Sequence, residues 1–211
     1  MEILKFGNEN AAFLLIQMVD EHDLQVISSE ISTIRGMMSK DFCLLCCKVD
    51  NWNSDLSPWE ADPVFGKEAF GGKASQTLDF LLKEVIPGFA DKKILIGGYS
   101  LAGLFALWAV YQTDVFQGAA AASPSVWFPG FLAYTQDNPI RTGAVYLSLG
   151  DREDKTKNPL MSQVGNAIRG IHENLAAQKG IMTTLEWNPG NHFKDPDIRT
   201  AKAFAWLMNK V

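Results

Sequence analysis

The chain has 211 residues, 47% of them hydrophobic and 20% charged, a composition typical of a soluble globular protein with a sizeable core. The formal net charge is −5 and no cluster of Lys and Arg stands out, which disfavours nucleic acid and anionic membranes as partners. No apolar run approaches the roughly 20 residues that cross a bilayer, and residues 1–5 lack the features of a signal peptide. We therefore expect one domain over residues 1–211, located in the cytoplasm.

Short apolar runs alternate with longer segments of helical pattern. The predicted strands are residues 11–18, 42–49, 93–98, 118–122, 144–149 and 182–187. The predicted helices are residues 24–39, 74–85, 101–113, 128–136, 160–178 and 196–209. This alternation predicts the α/β class, with a mostly parallel sheet of about six strands and helices on both faces.

Two segments near the N-terminus bear on association and on redox chemistry. Residues 1–6 are a candidate for a short edge strand; if they do not pair, an exposed apolar edge invites association and leaves a homo-oligomer open. Cys43, Cys46 and Cys47 lie inside an apolar run, and their odd number disfavours a disulfide framework and fits a reducing cytoplasm. Without a second pair of ligands, we expect no metal site there and no cofactor.

A nucleophile elbow is predicted at Ser100. The serine lies between an apolar run at 93–97 and a helix-forming run at 104–110. A tight strand-to-helix turn tolerates only small side chains two residues before and two residues after the nucleophile, and Gly98 and Ala102 satisfy this requirement. A degenerate phosphate loop is disfavoured, since neither its Gly-Lys-Ser/Thr ending nor the G-x-G-x-x-G spacing is present. The alternative is a glycine-rich packing turn.

A serine hydroxyl needs a neighbouring base, and the chain has three histidines. In folds with this elbow the triad runs Ser, acid, His, and the histidine follows the last strand. His192 fits that position, because it comes five residues after the predicted strand 182–187. His172 falls within a predicted helix, and His22 follows the first predicted strand, so we predict His192 as the general base.

The acid that orients the histidine is expected after strand 144–149. Gly150 ends that strand, and three carboxylates follow it within four positions: Asp151, Glu153 and Asp154. At least two of them belong to an ordinary acidic turn. We predict Glu153 as the acid and keep Asp151 and Asp154 as alternatives.

The oxyanion hole requires two N–H donors. The residue after the nucleophile, Leu101, supplies one at a helix N-terminus. The second is expected from the loop after strand 11–18, where we predict Val19, with Asp20 next.

Aromatic residues follow two of the predicted strands. Residues 50–73 form the one long irregular stretch, and a loop of that length is usually functional. It contains Trp52 and Trp59, while Trp127 and Phe128 follow strand 118–122. We predict Trp52 and Trp127 as substrate-binding residues that line an apolar pocket, whereas Trp59 and Phe128 fit a role in closing the core equally well.

Four segments carry a resemblance to a known family. They are GYSLAGL at 98–104, SPSVWF at 123–128, LSLGDRE at 147–153 and PGNHF at 189–193. Together they resemble a family of esterases with the α/β-hydrolase fold that includes esterase D-like and siderophore esterases. The chain departs from the usual pattern in its missing or vestigial opening hairpin and in the absence of a lid-sized insertion.

The resemblance implies hydrolysis of a small-molecule carboxylic ester through a serine acyl-enzyme. Some siderophore esterases of this family work with a Ser–His pair, so the resemblance leaves the acid the least secure role. Two alternatives remain: an acyltransferase with the same triad, and a non-catalytic binding module of the same fold.

Overall fold

The computed structural model describes residues 1–211. It contains nine strands: β1 (Glu2–Gly7), β2 (Phe13–Val19), β3 (Phe42–Lys48), β4 (Glu60–Ala61), β5 (Phe70–Gly71), β6 (Lys93–Tyr99), β7 (Gly118–Ala122), β8 (Ala144–Gly150) and β9 (Met182–Asn188). Seven of them form one sheet in the order β1-β3-β2-β6-β7-β8-β9, in which only β1 runs antiparallel to its neighbour. β4 and β5 pair separately, within the long loop that follows β3.

Seven α-helices accompany the sheet: α1 (Glu21–Met37), α2 (Trp52–Asp55), α3 (Ala74–Phe80), α4 (Leu101–Gln112), α5 (Phe131–Asp137), α6 (Val164–Ala177) and α7 (Pro196–Lys210). α1 and α7 cover one face, while α3, α4 and α6 pack on the other. Successive residues of a strand point to opposite faces, so Leu14 and Ile16 lie in one core and Phe13 and Leu15 in the other. Burial on both faces explains why the central strands are apolar without alternation.

The predicted fold class is confirmed, with one strand added. Residues 1–6 were the candidate edge strand, and β1 pairs with β3 over the register Glu2↔Lys48 to Gly7↔Cys43. This pairing covers the edge of β3, whose exposure would have invited association, and a homo-oligomer stays an open prediction. The opening hairpin is reduced to this single antiparallel strand.

Several helix boundaries differ from the prediction for local reasons. α1 begins three residues earlier than predicted, because Asp20 caps it and forms a reciprocal capping box with Asp23. α5 begins at Phe131 because Gly130, with φ of 78°, occupies its N-cap. The helix predicted at 160–178 starts as a 3₁₀ turn at Met161–Gln163, and the one at 74–85 ends as a π turn at Leu81–Val85.

None of the helices combines the length and the apolar character that crossing a bilayer requires. The three cysteines lie in β3, buried and without disulfide partners. Burial raises the pKa of the Cys47 thiol to about 12, so it stays protonated at neutral pH.

Candidate active site

Ser100 occupies a strained turn between β6 and α4. Its φ of 57° and ψ of −120° are the values of the first central position of a type II′ turn, which normally holds glycine. A Cβ on Gly98 would lie 2.6 Å from the Cβ of Ala102, which is the physical reason for small residues at both positions. The Ser100 N–H donates to the Ala122 carbonyl at 3.1 Å, and the Ser100 carbonyl accepts from the Ser125 N–H at 3.0 Å. The turn is therefore held by β7 and the loop after it.

His192 lies in the loop between β9 and α7, next to Ser100. Its Nε2 is 3.0 Å from the Ser100 Oγ. The Tyr99 hydroxyl donates to the His192 carbonyl at 2.6 Å, and the two rings lie 5.1 Å apart. His172 lies on α6, and the exposed His22 lines a neighbouring cavity. Of the three histidines, the structure brings His192 into hydrogen-bond distance of Ser100.

Glu153 completes a continuous chain of hydrogen bonds. Its Oε2 is 2.7 Å from the His192 Nδ1, and its side chain is only 4% exposed. The Oε1 accepts from the Ser123 hydroxyl at 2.8 Å and from the Gly150 N–H at 2.7 Å. Burial raises the pKa of Glu153, but the hydrogen bond and charge of His192 and the bonds from Gly150 and Ser123 hold it below its usual value overall. An ionised Glu153 keeps the proton on Nδ1 and leaves Nε2 free to accept the serine proton.

The two alternative carboxylates point elsewhere. The Asp151 Oδ1 accepts the Gly190 N–H at 2.8 Å and thereby fastens the loop that carries His192. Asp154 forms an exposed ion pair with Lys155 at 3.2 Å. Glu153 is therefore the carboxylate that contacts His192.

Arg199 belongs to the site, although the sequence analysis did not single it out. It lies in the first turn of α7, is only 1% exposed, and donates to the Glu153 Oε1 at 2.8 Å. A helical arginine normally indicates a solvated face. Its position four residues before Ala203 places both on the same face of α7, but only the structure shows that this face is buried at Arg199.

The serine–proline–serine segment after β7 contacts two members of this hydrogen-bond chain. Ser123, with φ of 43°, donates to Glu153, while the Ser125 Oγ lies 3.3 Å from the Ser100 Oγ. In the sequence this segment carries part of the family resemblance, but neither serine was predicted to make a contact in the site.

Two segments contain the predicted oxyanion donors. Leu101 is the first residue of α4, where backbone N–H groups have no partner within the helix. Val19 ends β2 and is fully buried, whereas Asp20 lines a cavity beside Ser100. The Asp20 N–H donates to the Asp23 Oδ2 at 3.1 Å. The donor role of Val19 stays a prediction.

Ser100 and His192 lie between two cavities. The first, of about 370 Å³, has an apolar lining of Trp52, Phe65, Trp127, Met161, Val164 and Phe193. The second, of about 420 Å³, includes Asp20, His22 and Asp23, and shares Trp52 and Phe193 with the first. Both predicted tryptophans thus line the first cavity, and the sequence analysis missed Phe65 and Phe193. Trp59 instead packs on Phe128 and donates to the Pro129 carbonyl, so it closes the core.

The charged groups that line the two cavities are carboxylates: Glu153 in the first, and Asp20 and Asp23 in the second. No group of three or more His, Cys, Asp or Glu side chains is arranged to hold a metal ion.

The fold has many solved counterparts. No profile of a known protein family matches the chain, and no curated protein resembles it in sequence. An IroE-like serine hydrolase from Shewanella oneidensis superposes with a TM-score of 0.81 at 18% identity, over 98% of this chain and 75% of that one. The siderophore hydrolase EstA from Aspergillus nidulans gives a TM-score of 0.69 at 18% identity, over 95% and 83%.

A third counterpart is the enterobactin esterase FES from Shigella flexneri. Its TM-score is 0.65 at 13% identity, over 99% of this chain and 55% of that one. At such identities the similarity establishes the α/β-hydrolase fold and leaves the chemistry to be argued from the site itself.

Proposed function

We propose that this protein is a serine esterase that cleaves carboxylic esters through an acyl-enzyme on Ser100, with His192 as base and Glu153 as the orienting acid. The observation that carries the proposal is the unbroken chain Ser100 Oγ, His192 Nε2, His192 Nδ1 and Glu153 Oε2, with distances of 3.0 Å and 2.7 Å. The strained backbone of Ser100 also supports the proposal, because such strain is usually found at functional sites.

The first half of the reaction acylates the serine. The Ser100 Oγ attacks the ester carbonyl carbon as its proton passes to His192 Nε2, and the carbonyl oxygen becomes an oxyanion. Backbone N–H groups at the start of α4, that of Leu101 first, stabilise this charge. When the C–O bond to the alcohol breaks, His192 returns the proton to the departing oxygen.

The second half releases the acid. His192 takes a proton from a water molecule, whose oxygen attacks the acyl carbon, and the Ser100 Oγ leaves with the proton that His192 gives back. An alcohol in place of water would make the same site an acyltransferase. The second cavity beside Ser100 is where the leaving alcohol or such an acceptor would lie.

The first cavity supports an apolar or aromatic acyl group. Trp127 forms its inner wall and packs edge-on against Phe65, while Phe193, 86% exposed, stands at the mouth. Neither cavity is lined by a lysine or an arginine, so a carboxylate on the substrate would lose its hydration there without gaining a counter-ion. We therefore propose esters with uncharged, apolar acyl groups as substrates, and a cytoplasmic location that the free thiols of β3 support.

Labelling with a fluorophosphonate probe tests the nucleophile. The wild type should be labelled and Ser100→Ala should not, while Ser28→Ala, which changes an exposed serine of α1, should still be labelled. Labelling that persists in Ser100→Ala would refute the assignment. An unlabelled wild type would favour the binding module.

A panel of nitrophenyl esters tests the acyl site. Butyrate and benzoate should be cleaved faster than the succinate half-ester, which carries a carboxylate on its acyl group. Trp127→Ala should shift the preference towards bulkier acyl groups, because it enlarges the first cavity. Product analysis with added alcohols then separates hydrolysis from transfer. Equal rates on the charged and uncharged esters would refute the substrate class.

A further inference from the structure

One buried guanidinium joins the two segments that supply the histidine and the acid. We propose that Arg199 is a positioning residue of the esterase reaction, which clamps the Glu153 carboxylate to the loop that carries His192 and offsets the charge of that carboxylate. This inference rests on the proposed function, and it adds a member that lies outside the Ser–His–acid triad.

The geometry of the clamp uses both ends of the guanidinium fork. Nη1 donates to the Glu153 Oε1 at 2.8 Å, to the Ser123 Oγ at 3.0 Å and to the Tyr99 hydroxyl at 3.1 Å. Nη2 donates to the carbonyls of Pro189 and Asn191 at 3.2 Å and 3.1 Å. The planar fork fixes these acceptors relative to one another, which a lysine ammonium on a flexible stem cannot do.

The carbonyls that Nη2 holds lie three residues and one residue before His192 in the chain. The Asn191 carbonyl belongs to the peptide group that leads into His192, so holding it fixes where the imidazole begins. Tyr99 adds a second connection, because its hydroxyl accepts from Arg199 and donates to the His192 carbonyl at 2.6 Å. Burial raises the pKa of Tyr99 to about 12, so the hydroxyl keeps its proton at neutral pH.

At the acid end of the clamp, the two carboxylate oxygens of Glu153 have different hydrogen-bond partners. Gly150, Ser123 and Arg199 all donate to Oε1, which leaves Oε2 for the His192 Nδ1–H. A carboxylate held in this way cannot rotate to exchange its oxygens. The Cβ of any residue at 150 would lie 2.4 Å from the Gly190 carbonyl, so the two segments are packed as closely as glycine permits.

The charge of Arg199 has an effect separate from its geometry. Without it, the buried negative charge of Glu153 would be balanced by His192 alone, which favours the imidazolium in the resting enzyme. A protonated His192 cannot accept the proton of Ser100. The other titratable groups around this site are Tyr99 of β6, Asp20 before α1, His22 and Asp23 of α1, and Asp151 and Lys194 of the two loops. Of these, Tyr99 contacts Arg199, and loss of that positive charge raises the pKa of Tyr99 further, so its hydroxyl keeps its proton in the variants as well.

Two substitutions separate charge from geometry. Arg199→Lys keeps the charge but loses the fork, so kcat should fall about tenfold to a hundredfold with KM nearly constant, and the acid limb of the pH profile of kcat/KM should stay in place. Arg199→Gln loses the charge, so its acid limb should also move about one pH unit upward. Arg35→Gln on α1, an exposed arginine, is the matched control and should change neither quantity.

Coupling to Glu153 separates this role from a purely structural one. In a Glu153→Gln background, Arg199→Lys should lower kcat much less than it does in the wild type, whereas a loss of thermal stability would persist in both backgrounds. The downfield proton resonance of the His192 Nδ1–H, which requires no turnover, should shift in Arg199→Lys and stay unchanged in Arg35→Gln. If Arg199→Gln does not fold, the kcat comparison and the proton resonance are both measured on Arg199→Lys.

The proposal is overturned if both variants keep the wild-type kcat and pH profile, or if the loss of kcat is equal in the two backgrounds. These outcomes differ from failure of the proposed function, in which the wild type itself shows no fluorophosphonate labelling at Ser100. A wild type that is labelled and variants that lose only thermal stability would leave the esterase assignment intact and remove Arg199 from it.

Discussion

The strain at Ser100 predicts that glycine at this position gives a more stable protein than alanine, although neither variant is active. With φ of 57° and ψ of −120°, the serine has a backbone conformation that costs of order 1–3 kcal/mol for a residue with a Cβ. Glycine adopts it without strain but gives up about 0.5–1 kcal/mol through the greater entropy of the unfolded chain. The difference leaves Ser100→Gly more stable than Ser100→Ala by about 1 kcal/mol, and by up to roughly 2.5 kcal/mol at the upper end of the strain.

Thermal and urea unfolding of the two variants measures this difference. Both lack the hydroxyl and its hydrogen bond to His192, so the comparison isolates the backbone. For a chain of this size each kcal/mol moves Tm by about 2–4 °C, so the glycine variant should melt a few degrees higher. Neither variant should hydrolyse esters.

The same pair of substitutions at Ser28 is the control. Ser28 is an exposed residue of α1, where glycine should be about 1 kcal/mol less stable than alanine. The sign of the difference should therefore reverse between the two positions. A Ser100→Gly variant no more stable than Ser100→Ala would show that the elbow is not strained.

Three further predictions concern histidine, acid and pH. His192→Ala should lower kcat by about 10⁴-fold or more with little change in KM, whereas His172→Ala should leave both unchanged. Glu153→Gln should lower kcat by about 10³–10⁴-fold, while Asp154→Asn stays within severalfold of the wild type; similar activity in the two would favour a Ser–His pair. Burial raises the pKa of Glu30 to about 8, whereas the same carboxyl in the unfolded chain has its usual pKa, near 4.5. Between these two values the folded state keeps a proton that the unfolded state has released. Stability should therefore fall between pH 5 and pH 8 in urea unfolding of the wild type and stay flatter in Glu30→Gln; equal slopes would show that Glu30 is ionised in the fold.

The contact between Ser100 and His192 was predictable because local chemistry and chain order specify where the two residues lie. An elbow needs small residues around one serine at the end of a strand, and Gly98 and Ala102 fulfil that condition within a few residues. His192 follows from chain order, because the carboxyl ends of parallel strands meet at one edge of the sheet. The central strands were predictable too, because strands buried on both faces are apolar at nearly every position.

The choice among the three carboxylates after Gly150 depended on the tertiary structure. They are too close in sequence for chain order to separate them, and their directions depend on how β8 meets the loop after β9. Asp151 accepts a hydrogen bond from the Gly190 N–H, and Asp154 forms an exposed ion pair with Lys155. The carboxylate of Glu153 points inward and contacts His192. The prediction of Glu153 rested on position, whereas its contact with His192 is a property of the packed loops.

Arg199 shows most clearly what the sequence alone does not determine. Its neighbours on α7 form an ordinary amphipathic pattern, and its five acceptors lie at the ends of β6, β7 and β8 and in the loop before α7. Local sequence specifies turns, caps and periodicity, because those involve residues a few positions apart. A buried charge is specified instead by partners up to 100 positions away, which are brought together only when the whole sheet has formed.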